Sequence, residues 1–113
     1  MLPRLEYCTD KRILTAFLCG EIDHHSARAV RDAVDIAIEK HRPALLVLDF
    51  SAVTFMDSSG IGLIMGRFKR MQEHKADILV ANPTDSIAKL MRLASVERIV
   101  RIVYTAHSAN VKE

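Results

Sequence analysis

No run of apolar residues in this chain approaches the ~18 that a membrane-spanning helix needs, so no membrane partner is expected. There is also no block or stripe of Lys and Arg with aromatics between them, and the charges nearly cancel at a formal +2. That balance gives no ground for nucleic-acid binding. The two cysteines, Cys8 and Cys19, are too few for a disulfide framework. They read as reduced, half-buried thiols in two neighbouring strands. Met1-Leu2-Pro3-Arg4 is followed by no apolar stretch of the kind a signal peptide carries, and a cytoplasmic location is expected. No Gly-Lys-Ser or Gly-Lys-Thr is present, which excludes a P-loop. There is no internal repeat, linker or low-complexity segment. What is present is 113 residues, half of them hydrophobic. That is enough for one core, so a single domain over residues 1–113 is expected.

The apolar pattern divides the chain into alternating elements. Leu2 to Thr9 is a weak strand, Asp10-Lys11-Arg12 a tight turn, and Ile13 to Cys19 a stronger strand stopped by Gly20. The short connection predicts an antiparallel hairpin with the first strand at a sheet edge. From about His25 to Lys40 the period becomes helical, with Val30, Ala33, Val34, Ala37 and Ile38 in one stripe. Pro43 ends that region. Ala44 to Phe50 is almost continuously apolar, which suits a strand covered on both faces. A second helix is expected from Ser58 to about His74, a short strand over 77–81, a third helix after Asn82-Pro83-Thr84-Asp85, and a last strand over 98–103. From Thr105 to Glu113 only a weak helix is expected. The order β-β-α-β-α-β-α-β predicts an α/β fold: a mixed, mostly parallel sheet of four to five strands with helices packed on it.

The chain is organised around Val53-Thr54-Phe55-Met56-Asp57-Ser58-Ser59-Gly60-Ile61-Gly62. Here a strand-to-loop segment enters a helix whose buried stripe is read as Ile61, Ile64, Met65, Phe68 and Met71. Asp57-Ser58-Ser59-Gly60 is a helix-cap composition. With Asp57 as the cap, its carboxylate serves the amides of Ser59 or Gly60. Ser58 becomes the first helical residue and keeps its hydroxyl free, at the positive end of a helix where a phosphate is well placed. Ser58, Gly62, Gly66, Lys69 and Glu73 then form a row along one side. Glycines at exposed helix positions each cost roughly 1 kcal/mol relative to Ala. Close approach of another backbone is the usual purpose of such a cost. The alternative is that Gly62 and Gly66 face the protein's own sheet. Asp23 ends a strand expected to lie beside 44–50, so Asp23 and Ser58 are expected at one sheet edge; Asp23 also suits a cap for helix one.

Phe55-Met56-Asp57-Ser58-Ser59-Gly60-Ile61-Gly62, followed by Gly66-Arg67-Phe68-Lys69, resembles the signature of the anti-sigma factor antagonists, the bacterial STAS-domain proteins. Gly20-Glu21-Ile22-Asp23-His24-His25 resembles the sporulation branch of that family. The resemblance covers essentially the whole chain. It implies that Ser58 is a phosphoacceptor and that the partner is an anti-sigma factor which is also a serine kinase and brings its own ATP. The unphosphorylated form would bind that partner and free a sigma factor; a serine phosphatase would reset the switch. Asp23, Asp57, Ser58, Ser59, Gly60, Gly62 and Gly66 are the expected docking residues. No cofactor, metal or catalytic residue is implied. Two turns depart from the family pattern: Glu73-His74-Lys75-Ala76, where relatives commonly have glycines, and Ala94-Ser95-Val96, where a Ser-Gly pair is usual. Ser95 is expected to end the third helix less sharply.

Other chemistries fit less well. A related reading makes the chain a STAS signalling module of a stress-response complex with a different kinase. Gly60-x-Gly62-x-x-x-Gly66 approaches the dinucleotide fingerprint, but its third glycine is one place late. The connection from Phe50 to Asp57 is also long for a phosphate-wrapping turn. Ser58, His24 or His25, and Asp23 supply triad residue types, yet adjacent histidines do not point the same way and no Gly-x-Ser-x-Gly elbow is present. No third and fourth ligand stand at metal-site spacing from His24 and His25.

Overall fold

A computed structural model describes residues 2–105, and its elements follow the order the hydrophobic pattern predicts. They are β1 (Arg4–Cys8), β2 (Ile13–Ile22), α1 (Ala27–His41), β3 (Leu45–Met56), α2 (Ser58–Glu73), β4 (Asp77–Ala81) and α3 (Asp85–Leu93), then a 3-10 turn (Val96–Arg98) and β5 (Arg101–Val103). The five strands form one sheet in the order β1-β2-β3-β4-β5. β1 pairs antiparallel with β2 at the edge; every other neighbour is parallel. The last strand is shorter than expected, because residues 96–98 form the 3-10 turn. Most of the expected weak final helix lies outside the described residues; Thr105, its first residue, is not helical.

The register shows which side chains share a face. Leu14, Leu46 and Ile78 align across β2, β3 and β4, as do Ala16, Leu48 and Val80. All six are buried and join one cluster with Val34 and Ile38 of α1, Ile64 and Met71 of α2, and Met91 of α3. The opposite face carries Ile13, Thr15, Phe17, Leu45 and Val47, which are only half-buried. The expectation that 44–50 is covered on both faces is therefore corrected. Successive right-handed crossovers between neighbouring strands place all three helices on one side. Neither cysteine forms a disulfide; Cys8 is exposed, not half-buried, and Cys19 is half-buried.

Two further corrections bear on the site. Gly20 does not stop β2. It takes a positive φ of 74° beside a register shift between Gly20 and Glu21, and the strand runs on to Ile22. Only glycine enters that backbone region without steric cost, so a bulge there bends the strand and keeps it paired. β3 likewise continues past Phe50, pairing Ala52 with Cys19, Phe55 with Glu21 and Met56 with Ile22. The expected long connection from Phe50 to Asp57 is strand, and Asp57 alone separates β3 from α2. On the open side, Asp49 is buried and holds three strands together. Its carboxylate accepts from Ser51 N–H at 2.9 Å and from Asn82 Nδ2 at 3.0 Å, while Asn82 N–H reaches the Val103 carbonyl at 2.9 Å.

Candidate functional site

The paired ends of β2 and β3 build the site. Ile22 is the partner of Met56, and the Asp57 N–H donates to the Ile22 carbonyl at 3.2 Å. The next residues on the two strands, Asp23 and Asp57, therefore emerge side by side. Asp57 is extended, at φ −109° and ψ −165°, as a cap residue should be. Its Oδ1 accepts the Ser59 N–H at 2.8 Å, and its carbonyl accepts the Gly60 N–H at 3.0 Å. Ser58 opens α2 and is exposed. Among the described residues its hydroxyl makes no hydrogen bond. Ser59 is half-buried.

The Asp23 side chain organises the turn before α1 and caps none of the helix's own amides. Its Oδ1 accepts the N–H groups of His25 at 2.9 Å and Ser26 at 3.0 Å. The Asp23 carbonyl takes the Ala27 N–H at 2.8 Å. Ser26 Oγ closes the turn by donating to the Glu21 carbonyl at 2.7 Å. The backbone hydrogen bond from Ser26 leads the effects that hold the Asp23 carboxyl below its ordinary pKa of 3.8. Its stabilising effect on this turn is thus complete above that value and is lost as pH falls through the lowered one. The rings of His24 and His25 lie against each other, with centroids 3.9 Å apart and tilted by 38°, which corrects the expectation that they diverge. Among the described residues no three His, Cys, Asp or Glu side chains are placed to share a metal ion.

The glycines of α2 separate into two kinds. Gly60 is buried, and a β-carbon built there would overlap the Met56 side chain. Gly60, expected on the docking surface, is instead a packing position that lets α2 start hard against the end of β3. Gly62 and Gly66 are different. Beyond the helix's own backbone and the neighbouring residues, no atom lies within 4 Å of an added β-carbon at either, so neither faces the protein's own sheet. Phe55, half exposed, stands opposite Glu21 at the same end of the sheet. Its exposure is not legible in sequence, since it depends on the extension of β3 that carries it.

The buried side of α2 holds Leu63, Ile64, Arg67 and Met71, while Ile61, Met65 and Phe68 are half-buried. Arg67 is the surprise. Its side chain is 8% exposed, and its Nε stands 2.8 Å from Asp35 Oδ1 on α1, although neither atom completes a hydrogen bond. Desolvation lowers the Arg67 pKa and the Asp35 charge partly restores it; a guanidinium stays charged throughout. Arg70 also reaches Asp35, at 3.3 Å, and takes Glu39 at 2.7 Å. Between α1 and α2 runs a groove lined by His24, Arg28, Arg31, Gly62, Gly66 and Arg67, among others.

The STAS domain model matches residues 5–109. The chain belongs to the STAS-domain anti-sigma factor antagonists. An anti-sigma F factor antagonist of Paenibacillus polymyxa is 32% identical over 90 residues, covering 80% of this chain and 77% of that protein. An anti-sigma-B factor antagonist of Listeria monocytogenes is 28% identical over 86 residues, covering 76% of this chain and 75% of that one. The fold is also that of the anti-sigma factor antagonist SpoIIAA in its unphosphorylated form, with a TM-score of 0.78, 24% identity, and coverage of 96% of this chain and 93% of that one. The family is regulatory. Among the described residues no helix of this STAS protein is long and apolar enough to cross a membrane.

Proposed function

We propose that this STAS protein is a phosphorylation-switched antagonist acting in the cytoplasm. Its unphosphorylated form binds an anti-sigma factor that is also a serine kinase, and so releases a sigma factor. The kinase transfers phosphate from its own ATP to Ser58, and a separate serine phosphatase removes it. One observation carries the reading: Asp57 caps the amide of Ser59 while Ser58, one residue earlier, is exposed with its hydroxyl uncommitted at the first position of α2. Phosphate adds about −1.5 to −2 charges. At a helix N-terminus that charge favours the fold by roughly 0.3–1 kcal/mol. Beside Asp57, on a docking surface, the same charge opposes a partner by several kcal/mol. Recognition changes while the fold stays.

The relative named for sigma F and the sporulation-like Gly20–His25 segment favour a role in spore formation. The relative named for sigma B supports a second reading, a stress-response complex built on the same switch. Incubation with the anti-sigma kinases encoded near this gene, with ATP, followed by peptide mapping, should place phosphate on Ser58 and none on Ser59. Ser58→Ala should bind the partner, and Ser58→Asp should bind it weakly, both with the circular dichroism of the wild type. Phosphate on Ser59, or tight binding by Ser58→Asp, would sink the mechanism.

A further inference from the structure

We propose that the groove between α1 and α2 receives an acidic segment of the anti-sigma factor, whose carboxylates are held by Arg28, Arg31 and Arg67. The inference rests on the partner-switching function proposed above and names the chemistry that function uses. The groove is lined by three guanidiniums and by His24, and no carboxylate lines it. The Arg28 side chain makes no ion pair or hydrogen bond among the described residues. Arg31 is paired at 3.1 Å only with its neighbour Asp32, and both side chains are about half exposed, at 44% and 57%. Pairs of that kind hold their partners weakly, so Arg31 can turn to an incoming carboxylate. Arg67 lies at the base, where its single strong partner Asp35 is shared with Arg70. The buried end of the groove is therefore short of negative charge.

The wall facing Arg28 and Arg31 is built to admit a backbone. Gly62 and Gly66 leave open space where any other residue would place a side chain, so a chain can lie close to α2 with its carboxylates turned toward α1. Guanidiniums bind carboxylates through paired N–H donors in a fixed fork, which sets the register of the segment as well as holding it. The negative groups of the switch, Asp23 and Asp57, stand at the strand ends; the positive ones run along the helices. A partner that matches this division presents its acidic stretch to the groove.

The test is titration calorimetry with an anti-sigma factor encoded beside this gene, on wild type, Ser58→Asp and the double variant Arg28→Ala/Arg31→Ala, at low and at moderate salt. The double variant should keep its circular dichroism, bind at least about tenfold more weakly, and lose much of the salt dependence. If wild type binds, Ser58→Asp does not, and the double variant matches wild type in affinity and salt dependence, the groove proposal is overturned and the switch stands. If wild type itself does not bind, both fall together. Should the double variant lose structure, Arg28→Glu alone, which breaks no ion pair, gives the same decision. A hexaglutamate peptide provides a partner-free check: amide shifts should appear at Gly62 and Gly66 in wild type and vanish in the double variant. Equal shifts with inorganic phosphate would overturn the peptide assignment in favour of a simple anion site.

Discussion

Gly60 and Gly62 stand two residues apart and answer to different neighbours. Gly62→Ala adds a methyl to open space at a helical position and should raise stability by up to ~1 kcal/mol. It should also weaken binding of the anti-sigma factor, because the methyl stands where a partner's backbone must come. Gly60→Ala drives a methyl into Met56 and should cost about 1–3 kcal/mol, with the folded fraction binding normally. Thermal melts and calorimetry on the two variants read both quantities; a destabilised Gly62→Ala with normal affinity would remove α2 as the docking face. The difference between them was only half legible. The Asp57 cap and the shared row of Ser58, Gly62 and Gly66 follow from helical spacing and local hydrogen bonding, which sequence carries. The burial of Gly60 depends on where Met56 lies, and that depends on β3 running six residues past Phe50. Arg67 was illegible for a related reason: an arginine on a helix reads as solvated unless its carboxylate is known, and Asp35 sits on a different element.

At the scale of elements, α1 and α2 are joined by charge as well as by apolar packing. Removing one partner of a buried pair leaves the other uncompensated. Asp35→Ala should therefore cost about 3 kcal/mol or more in denaturant unfolding, and Arg67→Met clearly less, since an apolar chain of similar volume replaces the guanidinium. Equal costs would mean that the pair acts only through its volume. The turns that close the elements tell a similar story. Lys75 at φ 56° and Ser95 at φ 61° occupy the left-handed region, which glycine enters without steric cost. Ser95 does not blunt the end of α3 as its type suggests; the helix stops at Leu93, and Ser95 leads directly into the 3-10 turn. The cost appears as strain, because a β-carbon crowds the backbone there. Lys75→Gly and Ser95→Gly should each raise stability by about 0.5–1 kcal/mol in the same measurement. No gain at either would show that the neighbouring hydrogen bonds already offset the strain. The order of the strands and of α1, α2 and α3 was legible from the change of hydrophobic period. The bulge at Gly20 was not, since a glycine after an apolar run reads equally as a stop.

On the scale of the whole molecule, one sheet face is closed by three helices and the other is half open, held by side chains such as Asp49 and Asn82. The apolar run of β3 suggested cover on both sides; alternation between Leu46 or Leu48 and Leu45 or Val47 emerges only when the register with β2 and β4 is known. The spatial order of the strands is also the order of the chain. That coincidence has a kinetic consequence. Each new strand adds to an edge already formed, so no segment must wait for a distant one, and loop-closure entropy stays low at every step. Growth from β2 and β3 outward would leave β5 to join last. Val53→Ala in β3 should then slow refolding, with a φ-value above about 0.5, whereas Ile102→Ala in β5 should mainly speed unfolding, with a φ-value below about 0.3. Stopped-flow chevrons on the two variants measure both. A chain emerging from a ribosome would complete the strand pair that presents Ser58, and α2 behind it, before β4 and β5 exist to stabilise them.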